Sequence, residues 1–327
     1  MKAKINTILN CLLVSVATSL ASVGDVQITF KIMDDFGKPV PGATVGISLT
    51  RLKNPLDQLA LENATQTQLH ATTDKEGEAI VKSSSISPEL YYSVNPMPGY
   101  YYTGGGEYKF RSVENGQWQP WNPTVELVLK PIVKPVPAYM KLMKLEIPKV
   151  GSSIGYDLTA GDWVKPYGKG SVSDFVFQLE RKPDRVVRSG PYNREHKLFD
   201  ATLNVSFSND GNGIQSVLIK PHVGSELHMP RYAPEDGYQP QLVKHMYCDD
   251  PDKPMVSDTR EDQNYFFRVR TVKKDGKIIS ALYGKIDGDL DFDVINSTTA
   301  IVVFEYSLNP EPNSRNMEFD PKRNLLK

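Results

Sequence analysis

From residue 25 onward, apolar and polar side chains alternate in short runs. In VQITFKIMD, Val26, Ile28, Phe30 and Ile32 fall on one side, with mostly polar residues between them. A period of two is that of a strand with one buried face. The same alternation returns in Ala43 to Leu49, in Ala79-Ile80-Val81, in ELYYSV and in PTVELVLKPI from Pro123 to Ile132. Past residue 134 it appears again in SDFVFQLER (Phe175, Phe177, Leu179), in ATLNVSF (Leu203, Val205, Phe207), in GIQSVLIK and in TAIVVFEYSL. Asn209 to Gly213 predicts a hairpin between two of these runs, and Lys274-Asp275-Gly276-Lys277 predicts another. No long stretch keeps a helical period. The nearest case, Pro55 to Leu69, groups Leu56, Leu59 and Leu61 and predicts one or two helical turns inside a loop.

Between the strand-like runs stand turn residues, and two turn segments are distinctive. The first is DDFGKPVPGATV, residues 34–45. The second is TTDKEG, residues 72–77. Glycines 37 and 42 permit backbone conformations costly to other residues, and the prolines fix an approach that needs no ladder donor. These residues (Asp35, Gly37, Pro39, Pro41, Gly42, Ala43 and Val45, then Thr73, Asp74 and Gly77) resemble the carboxypeptidase regulatory-like domain, a small transthyretin-like β-sandwich. The resemblance covers about residues 24–132. It implies a structural accessory module without catalytic residues, found on exported enzymes, adhesins and outer-membrane proteins, so it implies no particular reaction. The stretches IGYDLTAGDWVKPYGKG, LYGKIDGDLDF and NSRNMEFDPKRNLLK look similar to segments of secreted bacterial proteins that carry this module at the front.

The expected fold is therefore all-β: a small regulatory-like β-sandwich over 22–132, then a larger antiparallel β-sandwich or jelly-roll-like domain over 133–327. KPIVKPVPAYMK between them, with Pro131, Pro135 and Pro137, reads as an extended, semi-rigid spacer or a strand running along a domain edge.

Ahead of the first strand, residues 1–21 have the parts of a secretory signal peptide. Lys2 and Lys4 precede an apolar run from Ile5 to Ala17, and Ser19-Leu20-Ala21 offers small residues for cleavage. That run is short for a membrane span and has no positive stop-transfer flank. An anchor at Cys11 is disfavoured by Asn10 and by the apolar stretch continuing beyond it. Cleavage after Ala21 predicts a secreted or periplasmic mature chain with no transmembrane segment. Losing Lys2 and Lys4 takes the formal charge from −1 to −3, which leaves no electrostatic footprint for nucleic acid or an anionic membrane. It also leaves Cys248 as the single cysteine, so an exported chain must be held without an intramolecular disulfide.

Candidate chemistry concentrates in the irregular stretch 221–264. It contains His222, His228, His245 and Cys248, followed by Asp249, Asp250 and Asp252. Imidazole, thiolate and carboxylate suit zinc, and the spacing His245-x-x-Cys248 predicts two ligands on one turn. Long loops of this kind are often functional. No paired CxxC or HExxH accompanies them, and the alternative is a loop packed over a sheet with its histidines hydrogen-bonded or solvated. Asp287 to Asp293 alternates carboxylates as calcium loops do, but lacks the later glutamate, and Ile286, Leu290 and Phe292 suggest a strand with a wet face instead.

Tyr101, Trp118 and Trp121 are candidate ligand-binding residues, since rings on loops can stack on a sugar or anchor a protein partner. Their alternative is to cap the small domain. G-x-S-x-G, G-x-G-x-x-G and P-loop motifs are all absent from the sequence, and Cys248 stands beside acids, which do not activate a thiol as a nucleophile. Carboxylate pairs such as those of glycosidases leave no local signature, so Asp162, Glu180 and Asp184 stay undistinguished. The reading that results is an exported, non-catalytic binding or structural protein of the cell envelope that requires no cofactor, its partner a glycan or an envelope protein. The competing reading is a secreted hydrolase or metal-dependent enzyme with its site in the second domain under 221–264.

Overall fold

The computed structural model of the chain describes residues 23–53, 63–219, 225–295 and 299–326. The leader, Leu56, Leu59, Leu61 and His222 lie outside the described residues. Every element among those described is a β-strand, so the all-β expectation holds. The chain divides into two compact units. The first comprises residues up to Asn95 and Gly105–Leu129; the second comprises Pro96–Gly104 and everything from Lys130.

The first unit holds β1 (Gly24–Asp34), β2 (Thr44–Leu52), β3 (Ala64–Thr72), β4 (Glu78–Ser85) and β5 (Glu89–Val94). It continues with β6 (Gly106–Lys109), β7 (Ser112–Glu114), β8 (Gln117–Gln119) and β9 (Thr124–Leu129). One sheet runs β4-β1-β8-β7 with β9 parallel to β1; the other runs β3-β2-β5-β6. Alternation does what the pattern demands: Val26, Ile28, Phe30 and Ile32 of β1 and Val45, Ile47 and Leu49 of β2 are all buried. Each such side chain contributes about 1.5–3 kcal/mol of burial. The helical turns expected over 55–69 do not extend past Asn63, because Ala64 onward pairs in register with β2.

The two distinctive turns of the sequence lie against each other in this unit. The Asp34 carboxylate accepts from the backbone N–H of Phe36 and Lys38. Asp74 accepts in the same way from Glu76 and Glu78. Both are D-x-x-G-x turns in which a short acidic side chain substitutes for a backbone acceptor. Thr73 joins them: its hydroxyl accepts from the Ala43 N–H at 2.9 Å and donates to the Val40 carbonyl at 2.7 Å. Gly77 sits at φ 77°, and a Cβ there would lie 2.4 Å from the Ile32 carbonyl oxygen. Only glycine fits.

The second unit holds β10 (Val136–Glu146), β11 (Ser153–Asp157), β12 (Asp162–Trp163), β13 (Phe175–Arg181), β14 (Arg185–Ser189), β15 (Arg194–Ser206) and β16 (Gly213–Leu218). Its remaining strands are β17 (Gln241–Cys248), β18 (Val256–Ser257), β19 (Gln263–Lys274), β20 (Lys277–Val294), β21 (Ala300–Leu308) and β22 (Phe319–Asn324). Sheets β16-β19-β20-β21-β10-β22 and β12-β11-β13-β15-β17-β18 enclose one core, with β14 added on β15. Its centre is a set of edge-on rings, among them Tyr156, Phe175, Phe177, Phe267 and Phe304. A second cluster, including Met229, Ala233, Phe266, Tyr283 and Met317, forms where residues 225–240 cover the opposite face of the β19–β20 pair.

The β19–β20 hairpin forms as expected, with Asp275 and Gly276 both at positive φ in a two-residue turn. The predicted hairpin at Asn209–Gly213 does not form. Strand β15 pairs with β13 and β17, while β16 pairs with β19 in the facing sheet. Leu203, Val205 and Ile214 still share one core, but across it rather than side by side. The turn is instead a corner between sheets, fixed by Asn212, whose side-chain oxygen accepts from the Thr271 N–H.

Candidate functional site

The 221–264 stretch is not an irregular loop over a site. Its second half is strand: β17, β18 and the start of β19. This decides the His245-x-x-Cys248 spacing. In a strand, positions three apart point to opposite faces. His245 lies on the face with Tyr247, against which its ring stacks, and its Nε2 meets Asp200 Oδ1 at 3.0 Å. The Cys248 thiol faces the other way and reaches the Asp250 carbonyl at 3.7 Å. His228 is half-buried in the 225–240 segment, and burial holds its pKa below the ordinary histidine value. His222 lies outside the described residues. Among the described residues no three His, Cys, Asp or Glu side chains stand close enough together to hold a metal ion.

The three candidate aromatics divide between the units, Trp118 and Trp121 in the first and Tyr101 in the second. Trp118 is 6% exposed, a core residue of the first unit, with its indole N–H donated to the Ser85 carbonyl and its ring beside Phe110. An indole in a short strand facing a small core buries there, which corrects its placement on an exposed loop. Trp121 is 39% exposed. Tyr101 belongs to the second unit, where its hydroxyl donates to Glu318 Oε1 at 3.1 Å. Burial, followed by the Glu318 charge, pushes its pKa upward.

Glu318 is a centre that sequence reasoning missed. It sits on the chain just before β22, and its side chain is 1% exposed. It accepts from the backbone N–H of Val133 and Lys134 at 2.7 and 3.0 Å and pairs with Arg231 at 2.6 Å. Burial alone would raise its pKa; the Lys134 and Val133 N–H groups and Arg231 outweigh this and hold it low. Arg231 donates in turn to the Pro131 carbonyl, and the Lys130 ammonium donates to the carbonyls of Leu227 and Met229. The proline-rich stretch 130–134 is thereby bound to the body of the second unit and leads directly into β10.

Two further buried charge centres follow the same plan. Asp289 accepts from Lys244 Nζ at 2.8 Å, from the Tyr265 hydroxyl at 2.5 Å and from the Arg260 N–H at 2.8 Å. The Asp287–Asp293 alternation predicted a wet carboxylate face. A bulge at Gly288, φ 86°, shifts the β20–β21 register between Asp287 and Asp291, and the Asp289 side chain is 3% exposed. Asp287 pairs with Lys285, and Asp291 accepts from Thr259. The third centre joins Asp157 and Asp174 to Arg270, which is itself at φ 53°. Burial would raise Asp157, but the N–H groups of Ser171, Val172 and Ala160 and the Thr159 hydroxyl hold its carboxyl down at about 2. Burial raises Asp174. Asp162 accepts from the Trp163 and Lys169 N–H groups, Glu180 accepts from Gln178, and Asp184 pairs with Arg181.

Open concave surface occurs at the edge of the 225–240 segment. A cavity of about 320 Å³ is lined by Tyr232, Lys134, Glu311, Ser314, Arg315 and Asn316. The Tyr232 backbone bridges Asn316, with Ala233 N–H donating to Arg315 and Met317 N–H to Arg231. Arg231 and Ala233 on either side are buried, while Tyr232 is 58% exposed.

No family model matches this sequence, and no curated protein matches it. Among solved structures, the shaft pilin SpaA of Lactobacillus rhamnosus GG matches with a TM-score of 0.21 at 10% identity, over 58% of this chain and 91% of that one. The major pilin SpaD of Corynebacterium diphtheriae matches with a TM-score of 0.24 at 10% identity, over 89% and 84%. A variant of BcpA, the major pilin subunit of Bacillus cereus, gives 0.24 and 10% over 84% and 95%. Scores this low carry no argument about assembly, partners or chemistry.

Proposed function

We propose that the chain is exported through its first 21 residues and acts in the cell envelope as a non-catalytic structural or ligand-binding protein, its first unit a regulatory-like accessory sandwich. The supporting observation is how the buried carboxylates of the second unit are used. Glu318, Asp289 and Asp157 each accept several hydrogen bonds and face a cation of their own. Each centre includes partners on connecting segments (Val133, Lys134 and Arg231 at Glu318, Arg260 at Asp289, Thr159 and Ser171 at Asp157), so each ties a connection to the body of the unit. A reaction needs groups left able to exchange protons or meet substrate; these are saturated by the fold. Rigid connections between large sheets suit a protein whose work is to hold a shape or present a surface.

The test is expression from the full coding sequence in a bacterial host. The expected result is a mature chain beginning at Ser22 in the envelope or extracellular fraction, with substoichiometric metal by elemental analysis. Unprocessed protein retained in the cytosol overturns export. Stoichiometric zinc or calcium, accompanied by hydrolysis of a polysaccharide or peptide substrate, overturns the non-catalytic reading.

A further inference from the structure

We propose that the Tyr232 cavity is a saccharide-binding subsite, an inference that rests on the envelope-binding reading above and names its ligand class. An aromatic ring gains most by burial, and Tyr232 lies between two buried residues on a backbone fixed by hydrogen bonds to 315–317. Its exposure is therefore set by the fold rather than by a loose loop. The ring offers a flat apolar face of the kind that stacks on the C–H face of a sugar, with a hydroxyl at its edge.

Around it stand groups suited to sugar hydroxyls. Among the described residues no hydrogen bond or ion pair reaches the Lys134 ammonium or the Glu311 carboxylate. Their backbones are nonetheless held: the Lys134 N–H donates to Glu318, and the Glu311 N–H donates to Asn309. Ser314 accepts from Asn309, which leaves its own proton to donate. Arg315 uses Nη1 on the Ala233 carbonyl and Nη2 on Glu235, which fixes the guanidinium in place. Positive Lys134 and Arg315 are offset by Glu311 and Glu235, so the lining favours a neutral, hydroxyl-rich ligand over a strongly charged one. A volume of about 320 Å³ lies at the small end of ligand sites, suited to one or two sugar rings.

The experiment probes a printed glycan array with the purified mature chain and follows hits by titration with the free mono- or disaccharide. Binding of at least one neutral glycan is expected. Tyr232→Ala should weaken it by at least about tenfold, as for a central aromatic contact. Tyr232→Trp should retain it, and Tyr91→Ala, an exposed tyrosine of the first unit, should leave it unchanged. Because Tyr232 is outside the core, equal thermal midpoints for the three variants would show that folding is not the cause. No neutral glycan bound, or binding indifferent to Tyr232→Ala, overturns the site. Either result with processed protein in the envelope fraction leaves the envelope reading standing, whereas cytosolic retention removes that reading itself.

Discussion

The carboxylates Asp34 and Asp74 in the first unit, and Glu318, Asp289 and Asp157 in the second, all hold turns or connections in place, but they do it over different ranges. The two D-x-x-G-x turns use carboxylates that bond backbone N–H groups two and four residues on. The centres of the second unit add a cation from far away in sequence, Lys244 lying 45 residues from Asp289 and Arg270 113 from Asp157, even where nearby N–H groups fill the other acceptor sites, as Ala160 and Ser171 do at Asp157. The short-range device costs little desolvation, because its acids stay in water. The long-range device buries charge, which is tolerable only when every acceptor site is filled. Loss of one bond is therefore expected to cost the second kind of anchor more than the first.

This contrast can be broken at single residues. Gly77→Ala has the largest expected effect. It would force a Cβ to within 2.4 Å of a backbone oxygen at a φ of 77°, where neither side can yield easily. A loss of about 3 kcal/mol in urea unfolding of the first unit is expected. A neutral result would mean that the paired turns do not constrain the fold.

Acid titration sharpens the other side. Asp157 has a folded pKa of about 2, below its unfolded value near 3.8. Its contribution is therefore complete above the unfolded value and is lost as pH falls from about 4 towards 2. Linkage puts the loss at roughly 2 kcal/mol. Stability of the second unit measured by urea unfolding at pH 5 and pH 2.5 should fall accordingly, and Asp157→Asn should flatten that dependence. An unchanged slope in the variant would remove Asp157 from the account.

The same difference of range explains what the sequence made legible. Strand alternation and the Gly/Pro turns identified β1, β2, β4, β5 and β9 of the first unit, and Asp275-Gly276 identified the β19–β20 hairpin. The polar β3, ATQTQLHAT, has no apolar face strong enough to declare itself, and its period was masked by the leucines before it. Asn209–Gly213 carries hairpin chemistry, yet the pattern of apolar residues is the same whether two strands pair or face each other across a core. Glu318 and Asp289 were invisible for a deeper reason. An acid between apolar neighbours reads as an exposed position on a strand, and only tertiary structure supplies Arg231, Lys244 and the bulge at Gly288. Tyr232 had a weak local signal, a tyrosine between an arginine and an alanine in a Pro-rich loop, and nothing in that signal told it from the other exposed-looking rings.

The central claim is that the buried acids of the second unit are anchors and not reaction groups. Asp289→Asn tests it most directly, since it keeps the shape and removes the charge facing Lys244. Urea unfolding should show a loss of about 1–3 kcal/mol, because Lys244 then keeps only Asp258, whose side chain is largely in water, as a counter-charge. Unchanged or increased stability would contradict the account, because an anchor must cost stability when it is removed.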